Sequence, residues 1–177
     1  MTSTATLTTE PRIYVACLAA YNNGTLHGAW IDATQGEWGI WDDIQKMLAA
    51  SPIPDAEEHA IHDYEGFEEA RISEYASIET VAKLAAFITE HGALGGAVLA
   101  HYNSDLDEAQ EAISERYHGC FSSLADYVQD MAEGSMTIPQ TLQYYIDWQA
   151  MARDAELNGD LFTISTAYNE VHVFAGC

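Results

Sequence analysis

The stretch Leu124-Ala-Asp-Tyr-Val-Gln-Asp-Met-Ala-Glu133 constrains this chain more than any other. Leu124, Tyr127, Val128 and Met131 stand at i, i+3, i+4 and i+7, the spacing of one apolar helix face. Asp126, Asp130 and Glu133 keep the same rhythm on another side, so the predicted helix carries a row of three carboxylates. Ser123 is placed to cap its start and Gly134 to close it. No Lys or Arg lies within the segment to pair with the acids. Like charges at i, i+4 destabilise a helix by roughly 0.2–0.5 kcal/mol per pair, and interspersed lysines would have avoided that cost. The fold must bury the other face firmly and leave a negative row in water.

The rest of the chain repeats the theme, with 28 Asp and Glu against 6 Lys and Arg and a formal net charge of −22. Solubility of a small domain needs a net charge of only about 2–8 in magnitude. A larger charge works against the compact state by self-repulsion and speeds association with positively charged surfaces. It excludes direct binding to nucleic acid or to anionic lipid, which carry the same sign. Hydrophobic residues make up 48% of the chain, too many for a disordered acidic tail, so a buried core is expected. Adaptation to high salt would also raise the acid content, but would spread it over the surface without a dedicated face.

Cys17, Cys120 and Cys177 are odd in number and widely spaced, which argues for a reducing compartment and against a disulfide framework. The start of the chain has no basic segment followed by an apolar run, so no secretory signal is expected. Nor does any stretch approach about 18 uninterrupted apolar residues, the length of a membrane span. The expected location is cytoplasmic.

Read in order, the chain predicts an α+β fold of three small units behind a flexible tail over 1–11. The N-terminal unit, 12–64, reads β-β-α-β. Arg12 to Leu18 is a strand with Ile13, Val15 and Cys17 on one face. Asn22-Asn23-Gly24 turns it into a second strand, Leu26 to Ile31. Glu37 to Ala49 is a helix with Trp41, Ile44 and Leu48 inward, and Glu58 to Tyr64 is the third strand. A mostly helical middle unit, 65–103, opens on the acidic connection Glu65 to Glu74. Ser77 caps a helix from Ile78 to about His91, and Gly92 closes it. Gly95-Gly96 then interrupts the chain before a short apolar segment, Ala97 to Tyr102.

The C-terminal α/β unit, 104–177, starts with a helix from Asp105 to about Tyr117 capped by Ser104. Leu106, Ala109, Ile113 and Tyr117 face in. Asp107, Glu108, Glu111 and Glu115 face out as a second carboxylate row, relieved only by Arg116. A short strand, Gly119 to Phe121, feeds the Leu124–Glu133 helix. Pro139 begins another helix, with Asp147 capping its continuation through Glu156 and with Tyr144, Tyr145 and Trp148 assigned to the core. Leu161 to Thr166 and Glu170 to Phe174 form a closing hairpin.

Catalytic signals are sparse. His59-Ala-Ile-His62-Asp63 contains ligand types that zinc uses, but on a regular strand His59 and His62 point to opposite faces. A metal-dependent hydrolase using His59, His62 or Asp63 is the weakest of three readings. Phosphate-cradling, nucleophile-elbow and Cys-x-x-Cys motifs are absent from the sequence, so neither catalysis nor a cofactor is expected. His27, His101, His118 and His172 are isolated and carry no special duty in this reading.

The charge suits a different task. Duplex DNA carries one negative charge per roughly 1.7 Å of axis, so 22 charges match about 37 Å of duplex and a two-fold dimer about 75 Å. Carboxylates one helical turn apart can replace phosphates before a groove lined with Lys and Arg. The residues expected to do so are Asp107, Glu108, Glu111, Glu115, Asp126, Asp130 and Glu133, with Glu65, Glu68 and Glu69 as a second patch. An acidic regulator that captures other basic DNA-binding proteins is the alternative from a different class.

Pro11-Arg-Ile-Tyr-Val-Ala-Cys-Leu-Ala-Ala-Tyr-Asn-Asn-Gly24, Leu26-His-Gly28 and Trp30-Ile-Asp-Ala-Thr34 resemble the start of the ArdA antirestriction family. Glu58 to Phe67, Ser77 to Thr80, Leu124-Ala-Asp-Tyr127, Met151-Ala-Arg-Asp154, Glu156 to Asp160 and Glu170 to Phe174 are similar too, in order, over nearly the whole chain. The resemblance implies a DNA mimic from a conjugative plasmid or other mobile element. Such a protein occupies the DNA-binding groove of type I restriction–modification enzymes and sometimes blocks modification as well. It also implies an elongated, three-domain, homodimeric fold with an antirestriction motif near Leu124 to Glu133. Gly36-Glu-Trp-Gly-Ile-Trp41 departs from the family pattern in being rich in Trp.

Overall fold

Alternation along the first strand sets the first sheet. In β1 (Arg12–Cys17) the side chains of Ile13, Val15 and Cys17 are fully buried while Arg12 is exposed. β1 takes the centre of an antiparallel sheet in the order β2-β1-β3, with β2 (Gly28–Asp32) and β3 (His59–Glu65) on either side. The computed structural model describes residues 9–176, so most of the expected tail and Cys177 lie outside the described residues. The fold is α+β, and the chain divides into two compact units at Leu106/Asp107.

In unit 1 the first hairpin is longer than the Asn-Asn-Gly signal implies. A helical turn, α1 (Leu18–Asn22), precedes it, and β2 starts at Gly28 because Leu26 is exposed. Asp32 caps the 3-10 turn after β2, accepting the Thr34 N–H at 2.7 Å. α2 (Gly36–Ala49) packs on β2 and on α3 through Ile40, Ile44 and Met47. This corrects the expected inward set, since Trp41 and Leu48 sit half-buried at the flanks of that face.

α3 (Ile78–His101) begins at Ser77, whose hydroxyl accepts the Thr80 N–H at 3.1 Å. The helix breaks at Gly92, where φ is 57°, a region that glycine enters without steric cost. It then resumes at once. Gly95 and Gly96, read as an interruption, are helical and buried. A β-carbon at Gly96 would overlap the side chain of Glu68, so the glycine is there for close approach. Ser104 does not cap a following helix: it has φ 66° and its hydroxyl accepts the Arg71 N–H at 3.1 Å.

Unit 2 opens with α4 (Leu106–Glu111), which passes into a π turn over Ala112–Arg116 where one continuous helix was expected. Its second sheet has the order β4-β6-β5, all antiparallel, built from β4 (Tyr117–Phe121), β5 (Leu161–Ala167) and β6 (Glu170–Ala175). α5 (Leu124–Ser135) buries Leu124, Ala125, Tyr127 and Ala132. Met131, placed inward by its spacing, is 52% exposed, and Gly134 stays within the helix. α6 (Trp148–Leu157) packs beside α5, capped by Asp147, which accepts the Ala150 N–H at 2.9 Å. Between them the expected helix is reduced to a 3-10 turn, Gln143–Tyr145. Trp148 packs against the core as assigned, but Tyr144 and Tyr145 are almost wholly exposed, which corrects the assignment of the two tyrosines.

Along β6, Val173 meets the α5–α6 layer while His172 and Phe174 point to the other face. His172 Nδ1 lies 2.8 Å from the Tyr117 hydroxyl and Nε2 lies 3.0 Å from Thr166 Oγ1. Thr166 donates its proton to Glu170, so the network assigns the neutral ring with Nε2–H donating and Nδ1 accepting. Burial lowers the His172 pKa, against an opposing pull from Glu170. An unfolded histidine takes up its proton near pH 6.5, so below that pH the unfolded chain binds more protons and stability falls. The loss stops growing once pH drops beneath the lowered folded value. His59, also lowered by burial, adds a slope of the same sign. His172→Gln is expected to flatten the fall in urea-unfolding free energy as pH drops below about 6.5. An unchanged slope would remove His172 from the explanation.

Candidate partner-binding surface

The ten candidate carboxylates are all exposed. Glu65 ends β3, and Glu68 and Glu69 occupy the turn after it, with Glu68 in the left-handed region at φ 52°. Glu68 leans on the buried glycine of α3, which holds this patch against a helix. Unit 2 holds the other seven: Asp107, Glu108 and Glu111 on α4, Glu115 in the π turn, and Asp126, Asp130 and Glu133 on α5.

Pairing separates these residues. Arg12 Nη2 lies 2.6 Å from Glu65 Oε2, because β1 and β3 place the two residues directly opposite. Arg116 lies 3.4 Å from Glu108 and 3.5 Å from Glu111. Hydrogen bonds from i to i+5 in the π turn bring residue 116 over 111. An α-helix would have carried it away. The relief of the second row by Arg116 was expected from the sequence, whereas the Arg12–Glu65 pair escaped it, although the register of β1 and β3 contained its signal. Glu68, Glu69, Glu115, Asp126, Asp130 and Glu133 have no cation within ion-pair distance among the described residues.

The α5 row is the best ordered of these. Ser123 accepts the Asp126 N–H at 3.1 Å and donates to the Asp126 carboxylate at 2.8 Å, a reciprocal cap that fixes the start of the helix. Gln129 donates to Glu133 at 2.9 Å. Asp126 in the first turn is favoured by the helix dipole, whereas Glu133 near the last turn works against it, and no basic residue offsets it there. Such exposed carboxylates can accept hydrogen bonds from Lys and Arg side chains.

Elsewhere Lys46 bridges Asp42 at 2.6 Å and Asp43 at 3.2 Å, and Lys83 bridges Glu79 at 2.6 Å. These links are exposed and each contributes little. The first unit carries sixteen acidic and four basic residues and the second twelve and two, so each unit is strongly negative by itself.

The regular alternation expected to set His59 and His62 on opposite faces is broken in the strand itself. β3 bulges at His62: Tyr14 pairs with Asp63 and Val15 with Ile61, leaving His62 as the extra residue. His59 stands edge-on to Trp41, 5.3 Å between centroids, while His62 stands against Tyr21 at 4.9 Å and near Glu74 at 3.9 Å. Among the described residues no group of three His, Cys, Asp or Glu side chains is arranged to hold a metal. No helix among them is long and apolar enough to cross a membrane.

Fold and surface together define an acidic α+β protein with exposed carboxylates in rows on its helices. Within that class the match is specific: the family model described as antirestriction protein (ArdA) covers residues 13–170, and the chain belongs to the ArdA family. Its function is antirestriction, directed against restriction enzymes, and the family is not a known enzyme family. No curated protein matches the chain.

Proposed function

We propose that the chain inhibits type I restriction–modification enzymes by standing in for DNA, its carboxylates taking the place of phosphates in the DNA-binding groove. The observation that carries this reading is the α5 row. Three exposed carboxylates share one face with no cation beside them, and Glu133 sits where the helix dipole disfavours it. Folding gives no reason for that placement, whereas a groove of Lys and Arg does. The α4–π-turn row in unit 2 and the Glu68–Glu69 pair in unit 1 would supply further carboxylates to such a groove. Glu65, Glu108 and Glu111 contribute after exchanging Arg12 or Arg116 for a partner's cation, so their share is smaller. A homodimer, the three-part division at 64/65 and 103/104, and block of modification belong to the same proposal. Unmodified phage plated on cells with a type I system should recover plating efficiency when the chain is expressed. Isogenic cells without the system should show no gain. Recovery absent for every type I system tried would overturn the proposal.

A further inference from the structure

Four side chains on the outer stripe of α2 take no part in the core. Trp38, Trp41, Asp42 and Gln45 stand at i, i+3, i+4 and i+7, on one face of the helix and away from Ile40, Ile44 and Met47. They line an open cavity of about 480 Å³. Trp38 is 86% exposed, and Trp41 is half-buried and held in place by the His59 ring. A large indole kept in water on a rigid helix is a residue type enriched where partners dock. Asp42, one turn on from Trp38, is bridged on the exposed surface by Lys46 and by no other cation among the described residues, and Lys46 also reaches Asp43. Asp42 can change partners at little cost.

The same unit shows what an indole beside a carboxylate accepts. The Arg12 guanidinium lies 4.7 Å from the Trp30 ring centroid and bonds Glu65 at 2.6 Å. On α2 the indole and the carboxylate are both present, and open cavity lies where the guanidinium would go. We infer that this stripe of α2 docks an arginine side chain of a basic partner protein, its guanidinium over Trp38 and bonded to Asp42. Arginine is favoured over lysine because a planar, weakly hydrated guanidinium stacks on an aromatic face and forks onto a carboxylate. The strong negative charge of the chain draws such a partner in. The identity of the partner as a restriction enzyme rests on the proposed function. The preference for arginine does not.

The test titrates the full chain with hexa-arginine and hexa-lysine peptides, which carry equal charge, and follows tryptophan fluorescence. The wild type should bind the arginine peptide about 3- to 5-fold more tightly than the lysine peptide. Trp38→Ala should bring the two affinities together, Trp38→Phe should keep part of the difference, and Asp42→Asn should reduce it. Because Trp38 is exposed, these variants keep the fold. An equal preference in wild type and Trp38→Ala, or no preference at all, overturns the inference. If that happens while the chain still displaces DNA from a type I enzyme, only the docking site fails. Arginine capture at Trp38 without displacement of DNA would sustain the site and sink the inhibitor reading.

Discussion

Replacing Asp126, Asp130 and Glu133 together by Asn, Asn and Gln is expected to leave the fold intact and to weaken inhibition of a type I enzyme about 100-fold. The estimate takes on the order of 1 kcal/mol for each ion pair lost to the partner, and about 1.4 kcal/mol for each factor of ten. Stability should move by less than about 1 kcal/mol. Asp126 loses a favourable interaction with the start of the helix dipole, while Glu133 sheds an unfavourable one at the end. The Asp126–Asp130 repulsion at i, i+4 also disappears. Each single replacement should cost tenfold or less. A control variant, Asp55→Asn with Glu79→Gln and Glu90→Gln, removes the same charge from exposed positions outside the rows. Inhibition constants for both variants decide the matter. Equal losses would assign the effect to net charge and not to the row.

The second large effect lies beneath that row. Phe174 is fully buried, stacked on Phe162 with centroids 4.9 Å apart and tilted against Tyr117 at 5.1 Å. Phe174→Ala should cost unit 2 about 3–5 kcal/mol, the transfer of a ring plus the cavity it leaves. A domain holds only about 5–15 kcal/mol in reserve. For a unit of this size that is a fall of roughly 15–30 °C in the melting temperature. α5 packs on Val173, the neighbouring residue of the same strand, so losing β6 removes the support of the carboxylate row. Calorimetry should show the fall, and inhibition should vanish at temperatures where the wild type still acts. A shift of only a few degrees would mean that the Phe162–Phe174–Tyr117 cluster does not hold the sheet together.

Much of this was legible from periodicity. The exposed acids of α5, its serine cap and the buried Leu124 and Tyr127 come from spacings of three and four, because a helix converts them directly into faces; Ala125 and Ala132 complete the buried side where Met131 was expected. The β1 alternation and the closing hairpin were readable for the same reason. The failures depended on contacts distant in sequence. Gly95 and Gly96 read as breakers because nothing nearby announces that Glu68 will lie against Gly96. Ser104 read as a cap because its true partner, the Arg71 N–H, is 33 positions away. Tyr144 and Tyr145 read as core because aromatic residues usually are, yet their segment forms only one 3-10 turn and buries neither. The site divided along the same line. Residue types, their exposure and the relief of the second row by Arg116 were visible, but the partner of Glu65 needed a strand register.

The most direct measurement is competition between the purified chain and duplex DNA for a type I methyltransferase core, repeated across a salt series. If carboxylates stand in for phosphates, the chain displaces the duplex, and its affinity drops steeply as salt rises, in parallel with that of DNA. Simultaneous binding of chain and duplex, or an affinity unchanged between low and high salt, would contradict it.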